Sequence, residues 1–172
     1  MRRTLGLAVL AALGAVLVLL VRPPTRPTGR AAVRGHRVVR VPAAAVVRVE
    51  LAHAGETLRA RRIPGGWEVD GRPAAPGVVD ALADLVGLLT SLRAIDVFRA
   101  RDGATYGLDR PRSQIVVATP RRTVALDLGD PNSAGSAFYA RRAGDPRVLL
   151  LGTTVASALE RVLYQRKVAR GP

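Results

Sequence analysis

A short segment between residues 127 and 136 carries the oxygen atoms that a hard cation would bind. The candidate ligands in it are Asp127, Asp130, Asn132 and Ser136. Calcium and magnesium prefer such ligands, but the D-x-D-x-D-G spacing of a calcium loop is missing and Pro131 interrupts the segment. Because Asp, Pro, Asn, Ser and Gly also favour β-turns, we predict a turn here, with no metal ion and no other cofactor.

Serine hydrolysis is the second chemistry that the residue types allow. His53 could act as the base for Ser136 in a Ser-His-Asp arrangement, but nothing in the spacing favours it. The residues around Ser136 do not form a G-x-S-x-G nucleophile elbow. The sequence also lacks a G-x-x-x-x-G-K-S/T phosphate loop and a G-x-G-x-x-G motif, so a partner must supply any ATP. We therefore predict that the chain is not an enzyme.

The composition excludes several further classes of site. The chain has no cysteine, which rules out disulfides, iron–sulfur clusters, thiol catalysis and cysteine-ligated zinc. Its formal net charge of +14 raises the question of nucleic-acid binding, but the chain has only six aromatic residues, no aromatic stacking motif and no zinc finger. We expect no nucleic-acid partner.

Seventeen apolar residues without a break, Leu5 to Val21, predict a membrane anchor. As a helix the run would be roughly 26 Å long, near the lower limit for crossing a bilayer core of about 30 Å. Arg2, Arg3 and Arg22 flank it and can extend to the headgroups. A cleaved signal peptide and a buried soluble helix are the alternatives, but no A-x-A-like cleavage site follows the run. We assign residues 1–22 to a single-pass anchor in the lipid bilayer.

Residues 23–35 form a linker rich in proline, glycine and arginine. The basic residues next to the predicted membrane are Arg22, Arg26, Arg30, Arg34 and Arg37. Such a stretch attracts anionic headgroups, and a solvated, arginine-rich linker is the alternative. Because more arginines follow the anchor than precede it, the positive-inside rule would place the globular part in the cytoplasm.

Short runs of β-type residues, separated by turn residues, begin at His36. In the first half they are residues 36–41, 46–52, 56–62 and 67–69. An amphipathic helix is then predicted over residues 78–95, entered through Pro76, because apolar side chains recur there every three or four residues. These side chains are Val78, Leu82, Leu85, Val86, Leu89, Leu92 and finally Ile95.

The second half repeats this order. Its predicted hairpins pair residues 113–119 with 122–129 and residues 136–142 with 147–151. Gly152, Thr153 and Thr154 then precede a last helix. The apolar face of that helix consists of Val155, Leu159, Val162 and Leu163.

The order of elements predicts an α+β fold after the N-terminal transmembrane helix. Antiparallel hairpins would form a sheet, and two amphipathic helices would pack on it. The similar order in the two halves suggests a weak internal duplication. We assign residues 36–166 to this domain and residues 167–172 to a C-terminal tail.

Five short motifs follow one another along this domain. They are GGWEV (65–69), TYGLDRP (105–111), LDLGDP (126–131), FYARR (138–142) and RVLLL (147–151). In their order and spacing they resemble the domain of unknown function 4340, over roughly residues 45 to 165. The most recognisable part is the run from Tyr106 through Gly107, Leu108 and Asp109 to Pro111.

The resemblance implies a membrane-anchored protein of the bacterial envelope, of a kind often associated with ABC-type transport or gliding-motility-like systems. It implies no established activity and no catalytic residues. It favours a single-pass protein of the plasma (inner) membrane whose globular domain is extracytoplasmic, in conflict with the distribution of arginines. A membrane protein such as a permease would be the partner.

Four residues are candidates for contacts with that partner: Trp67, Tyr106, Asp109 and Tyr139. Residues 106–111 form either a structural turn, which we favour, or a recognition loop with Tyr106 and Asp109 outward. Trp67, the only tryptophan, favours a core position over an exposed contact.

The expected function is therefore that of a membrane-anchored, non-enzymatic protein-interaction module, as an accessory subunit of an ABC-type transport system. Two alternatives remain open. One is an extracytoplasmic ligand-binding or hydrolytic domain, and the other is a binder of anionic lipid or polymer.

Overall fold

Nine antiparallel strands form one sheet in the computed structural model, which describes residues 36–100 and 102–171. The first four strands are β1 (Arg48–His53), β2 (Glu56–Ile63), β3 (Gly66–Val69) and β4 (Arg72–Pro73), and helix α1 (Pro76–Ser91) follows them. The other strands are β5 (Asp96–Arg99), β6 (Ser113–Ala118), β7 (Thr123–Pro131), β8 (Ala137–Arg142) and β9 (Arg147–Gly152), followed by helix α2 (Thr154–Arg170). The predicted α+β fold, with a large antiparallel sheet and two helices, is confirmed.

The strand order across the sheet is β4-β3-β2-β1-β6-β7-β8-β9-β5. Strands β1 to β4 form one meander and β6 to β9 a second, and each meander is followed by a helix. The meanders join where β1 pairs with β6, with Leu51 opposite Ile115. Strand β5 is the exception, because it lies beyond β9 at the far edge.

Both helices pack on one face of the sheet, and the core lies between. Alternate residues of the strands point to this face, as the two-residue period of a strand requires. Buried side chains from the strands include Val49, Leu51, Ile115, Val117, Leu126 and Leu128. Helix α1 contributes its predicted apolar stripe, of which Leu82, Leu85 and Leu89 are fully buried.

Helix α1 begins at Pro76 and ends at Ser91, four residues before the predicted end. Proline suits the start of a helix because its missing N–H would have no intrahelical acceptor there. At the other end Leu92 is extended, and backbone bonds join Leu92 and Ala94 to the segment that begins at His36. Ile95 therefore lies outside the helix, with 63% of its surface exposed.

Residues 36–41 do not form the predicted strand. Only a single bridge, between Arg37 and Arg93, is present in this segment. Val38 and Val39 are adjacent and both are buried, at 0% and 2% exposure, whereas neighbouring residues of a strand point to opposite faces. The two valines instead pack into the core, and the short 3₁₀ turn Ala43–Ala45 follows Pro42.

Helix α2 buries the predicted residues Val155, Leu159, Val162 and Leu163. It continues to Arg170, so most of the segment assigned to a C-terminal tail is helical. Arg166 lies four residues after Val162 and is buried on the same face, at 8% exposure. The helical spacing places Arg166 on this face, but its residue type does not predict burial.

Within residues 36–100 and 102–171, no helix has the length and apolar character needed to cross a bilayer. The predicted anchor, Leu5 to Val21, lies outside the described residues, as do the linker and the basic residues Arg22, Arg26, Arg30 and Arg34.

We expect Leu82→Ala to lower the free energy of unfolding by about 2–5 kcal/mol, because it removes a fully buried side chain and leaves a cavity between α1 and the sheet. The matched control is Leu88→Ala on the same helix, where the side chain is only partly buried. Urea unfolding followed by far-UV circular dichroism measures both. Equal losses for the two variants would contradict the packing described here.

Candidate functional site

Residues 102–112, the crossover loop, return the chain from the edge strand β5 to the central strand β6. Ala140 and Leu149 lie in the core beneath the helices, so their neighbours Tyr139 and Val148 point to the opposite face of the sheet. Val148 is nevertheless only 1% exposed, as is Leu108 of the loop. The crossover loop therefore covers the helix-free face at this end of the sheet.

Three aromatic rings, which we name the aromatic cluster, meet on this face: Phe98 of β5, Tyr106 of the loop and Tyr139 of β8. The ring centroids are 4.8 Å apart for Tyr106 and Tyr139, 5.5 Å for Phe98 and Tyr106, and 6.3 Å for Phe98 and Tyr139. All three contacts are edge-to-face, a geometry that adds about 0.5–1.5 kcal/mol per pair beyond the area buried. Each ring is half-buried, so part of the cluster faces solvent.

Two glycines allow the crossover loop to lie this close to β7. A side chain on Gly129 would overlap the carbonyl oxygen of Tyr106. Gly107 adopts φ +66°, and a Cβ there would lie 2.6 Å from Cγ of Asp130. The register of β7 with β8 shifts between Leu128 and Pro131 at this point. Gly107 on the loop and Gly129 on β7 are therefore both needed for the close contact between the crossover loop and β7.

Polar contacts fix the same loop. Arg141 Nη2 donates to the carbonyl oxygen of Leu108 at 2.9 Å, and Arg112 Nε donates to Asp130 Oδ1 at 2.9 Å. Asp109 is exposed, and its Oδ1 lies 2.5 Å from where a Cβ of Gly103 would be. These contacts hold the loop as a turn in which Asp109 is exposed and Tyr106 is half-buried. A role of the loop in recognition stays a prediction.

The structure separates the four predicted contact residues. Tyr106 and Tyr139 are neighbours, and Asp109 belongs to the same loop. Trp67 lies elsewhere, in the core at 3% exposure, with the guanidinium of Arg62 4.6 Å from its ring centre. As placed, Trp67 is not available for contact with a partner. Sequence reasoning missed Phe98, because it assigned no strand to residues 96–99.

The oxygen-bearing segment 127–136 is occupied by contacts within the chain. Gln114 donates to Asp127 at 2.9 Å, and Asn132 Oδ1 accepts from the backbone N–H groups of Ser136 and Ala137. No group of three or more histidine, cysteine, aspartate or glutamate side chains positioned for a metal occurs among the described residues. Residues 127–131 belong to strand β7, so the predicted turn is confined to residues 132–136, which lead into β8.

His53 pairs with a serine, but not with Ser136. Its Nδ1 lies 2.7 Å from Oγ of Ser113, on the neighbouring strand β6. Ser113 is only 7% exposed, so a substrate has little access to its hydroxyl. The pair joins β1 to β6 and offers no open nucleophile.

A basic region surrounds His36, where the described part of the chain begins. Burial lowers the pKa of His36, and the charges of Arg147, Arg40 and Arg142 lower it further. Asp145 compensates part of this charge, since Arg147 donates to its two oxygens at 2.9 and 2.7 Å and Arg142 donates at 2.8 Å. Arg37, predicted to lie near the membrane, is exposed in the same segment.

A family model described as domain of unknown function (DUF4340) matches residues 67–163, which is more than half of the 172 residues. The chain belongs to this family. The DUF4340 match contains the aromatic cluster, the crossover loop and most of α2, whereas β1 and β2 lie before it. Neither the curated proteins nor the solved structures yielded a match.

We expect Gly129→Ala to destabilise the domain by about 1–3 kcal/mol, because its Cβ would meet a backbone oxygen that cannot rotate away. Gly87→Ala is the matched control, since no atom lies within 4 Å of that Cβ and alanine favours a helix. The control should gain up to about 1 kcal/mol. Urea unfolding together with near-UV circular dichroism of the tyrosines measures both effects, and a neutral Gly129→Ala would refute the close contact.

Acid should destabilise the domain in part through Asp145. Hydrogen bonds from the Arg147 side chain, and then from its backbone N–H and Arg142, hold the pKa of Asp145 well below its usual range. The stability that follows is present above the unfolded pKa of about 4 and is lost as the pH falls. We expect Asp145→Asn to be less stable at pH 7 and to lose less stability between pH 5 and 3 than the parent. Asp80→Asn, at an exposed position of α1, is the control for the removal of one negative charge.

Proposed function

We propose that this DUF4340 chain is a membrane-anchored, non-enzymatic protein-interaction module of the bacterial envelope, and that the aromatic cluster contacts its partner. The observation that carries the proposal is the meeting of Phe98, Tyr106 and Tyr139, from three separate segments, on a half-exposed and internally braced surface. Aromatic residues are enriched where protein interfaces bind most strongly. Rings already held by one another lose little side-chain freedom on binding.

The proposed partner is the permease of an ABC-type transport system, with this chain as an accessory subunit. The resemblance noted from the sequence motifs suggests this association. The sequence has no phosphate loop, so the ATPase of such a system would be a separate subunit.

Residues Leu5 to Val21 would anchor the module as a single helix in the plasma membrane, with the globular domain outside the cytoplasm. Their uninterrupted apolar character supports the anchor. The arginines that follow the anchor favour the opposite orientation under the positive-inside rule. We give precedence to the envelope association of the resemblance.

The domain is also proposed to contain an internal duplication. Each half is a four-stranded antiparallel meander followed by a helix, and the first strands of the two halves pair at the centre of the sheet. A twofold axis near the pair Leu51–Ile115 would exchange the two halves. Strand β5 and the crossover loop would be additions to the repeated unit.

Binding of anionic lipid or polymer is the second candidate function. The observation in its favour is the basic region around His36, which directly follows the arginine-rich linker in sequence. Binding of this kind would weaken steeply with salt, because exposed charges are screened.

The test uses the full-length chain in bacterial membranes, with a photoreactive amino acid at Thr105, an exposed neighbour of Tyr106. We expect crosslinks to a permease, and we expect Tyr106→Ala or Tyr139→Ala to reduce them about tenfold, as loss of a central aromatic contact does. Tyr164→Ala is the matched control, since this tyrosine is 63% exposed on α2.

Crosslinks that persist unchanged in both cluster variants would contradict the proposal. Adducts to lipid or glycan alone, reduced by salt, would instead support the second candidate function. Circular dichroism of each variant establishes that a lost crosslink does not result from unfolding.

A further inference from the structure

A cleft of about 570 Å³ opens at the end of the sheet opposite to the aromatic cluster. Three segments line it: the turn between β3 and β4, the residues that lead into α1, and the last turn of α2. Its volume is within the range of about 300–1,000 Å³ that small-ligand sites occupy. Its charged residues are Asp70, Arg72, Arg166 and Arg170.

Two carboxylates near the cleft are each shared by two cations. Glu56 accepts from Arg166 at 2.7 Å and from Lys167 at 2.5 Å. Asp70 Oδ2 lies 2.7 Å from Arg170 and 3.4 Å from Arg166. Neither carboxylate has a cation to itself, so the two of them cannot neutralise the basic residues around them.

A further arginine stands beside this group without a carboxylate. The guanidinium of Arg72 forms no hydrogen bond or ion pair with any described residue. With it, four cations surround two carboxylates, and two positive charges remain uncompensated at the cleft. An anion bound here would supply the negative charge that is missing around these basic residues.

Arg166 is itself incompletely satisfied. It is 92% buried, its two terminal nitrogens contact Glu56, Asp70 and the carbonyl oxygen of Thr57, and its Nε has no hydrogen-bond partner among the described residues. Buried polar nitrogens are rarely left unpaired in folded proteins. Arg166 therefore adds to the lining of the cleft a buried positive charge that it shares with Glu56 and Asp70.

The start of α1 also favours an anion in the cleft. Ala75, which precedes the helix and lines the cleft, cannot cap it with a side chain, and the first turn of the helix contains no acidic residue. A helix N-terminus carries about half a positive charge and is satisfied by anions. The helix terminus and the arginines therefore favour a ligand of the same sign at the same place.

We propose that this cleft binds a small ligand through a carboxylate or phosphate group, with Arg72 and Arg170 as the contacting cations. Val69, Pro73 and Val78 line the rest of the cleft and would contact a short apolar body. Arg166 is paired with Glu56 and Asp70. It contributes its charge to the cleft without needing to touch the ligand. The site is separate from the aromatic cluster and does not depend on the proposed protein partner.

The test is isothermal titration calorimetry of n-butyl phosphate into the full-length chain in a non-ionic detergent, at constant ionic strength. We expect saturable binding with one site, weakened about tenfold by Arg72→Gln through the loss of a hydrogen bond to a charged group. The double variant Arg72→Gln/Arg170→Gln should abolish it.

The matched control is Arg122→Gln, which removes an equal charge from an exposed arginine at a different cleft, one of about 370 Å³. It should leave the dissociation constant unchanged. Non-saturable heats, or an equal loss in Arg122→Gln, would overturn the proposal, since either result would mean general attraction to a basic protein. Circular dichroism and the fluorescence of Trp67 verify that each variant is folded.

A competition experiment distinguishes the two sources of such a group. Vesicles of phosphatidylglycerol that displace n-butyl phosphate, where vesicles of phosphatidylcholine do not, would identify a lipid headgroup as the ligand. Binding of n-butyl phosphate that neither vesicle displaces would identify a soluble anion.

Discussion

The antiparallel pairing of β1 with β6 is the contact on which the rest of the domain depends. It joins two meanders that are separated in sequence by a helix, an edge strand and a loop, and it does so over six residue pairs. Each meander alone would be a four-stranded sheet with one helix and an exposed inner edge, a form that is open to further pairing. Once the strands pair, Leu51 and Ile115 lie side by side beneath both helices, and one core forms.

This pairing also determines where the crossover loop can run. Strand β5 lies at the far edge beyond β9, and the next strand, β6, lies in the middle of the sheet. The helices occupy one face, so the connection crosses β9, β8 and β7 on the other. The aromatic cluster follows from this route, because the loop carries Tyr106 past Phe98 and Tyr139. The loop can follow this route only because Gly107 and Gly129 have no side chains, so that each leaves room for the opposite backbone.

The elements that the sequence predicted well are those whose information is local. Alternating apolar residues between turn residues located β1, β2, β3, β6, β7, β8 and β9 to within two residues, and the helical stripes located both helices. The elements that the sequence predicted wrongly depend on contacts between residues far apart in the chain. Ile95 continued the helical spacing of α1, yet the backbone from His36 holds the chain extended there and β9 takes the next residues into the sheet.

The candidate sites show the same division. Tyr106 and Tyr139 stood out because their motifs are recognisable, but Phe98 becomes their neighbour only through the pairing of β5 with β9. Arg166 continues the spacing of the buried face of α2, but its residue type pointed to solvent, since an arginine on a helix is ordinarily solvated. It is buried because Glu56 and Asp70 come from β2 and the β3–β4 turn to meet it.

Unpaired arginines are expected in a chain with 27 basic and 13 acidic residues, so an arginine without a carboxylate is not in itself a sign of a site. The surroundings of each group of arginines must therefore be compared. At the β8–β9 turn one carboxylate, Asp145, takes up Arg142 and Arg147 in short hydrogen bonds and has its pKa lowered by them. At the cleft near α1, two carboxylates are each divided between two cations, and a helix N-terminus without an acidic residue adds to the same charge. The cleft beside Asp145 has the same balance of three arginines to one carboxylate among the residues that line it. The features particular to the cleft near α1 are therefore the helix start without an acidic residue and the buried Nε of Arg166 without a hydrogen-bond partner among the described residues.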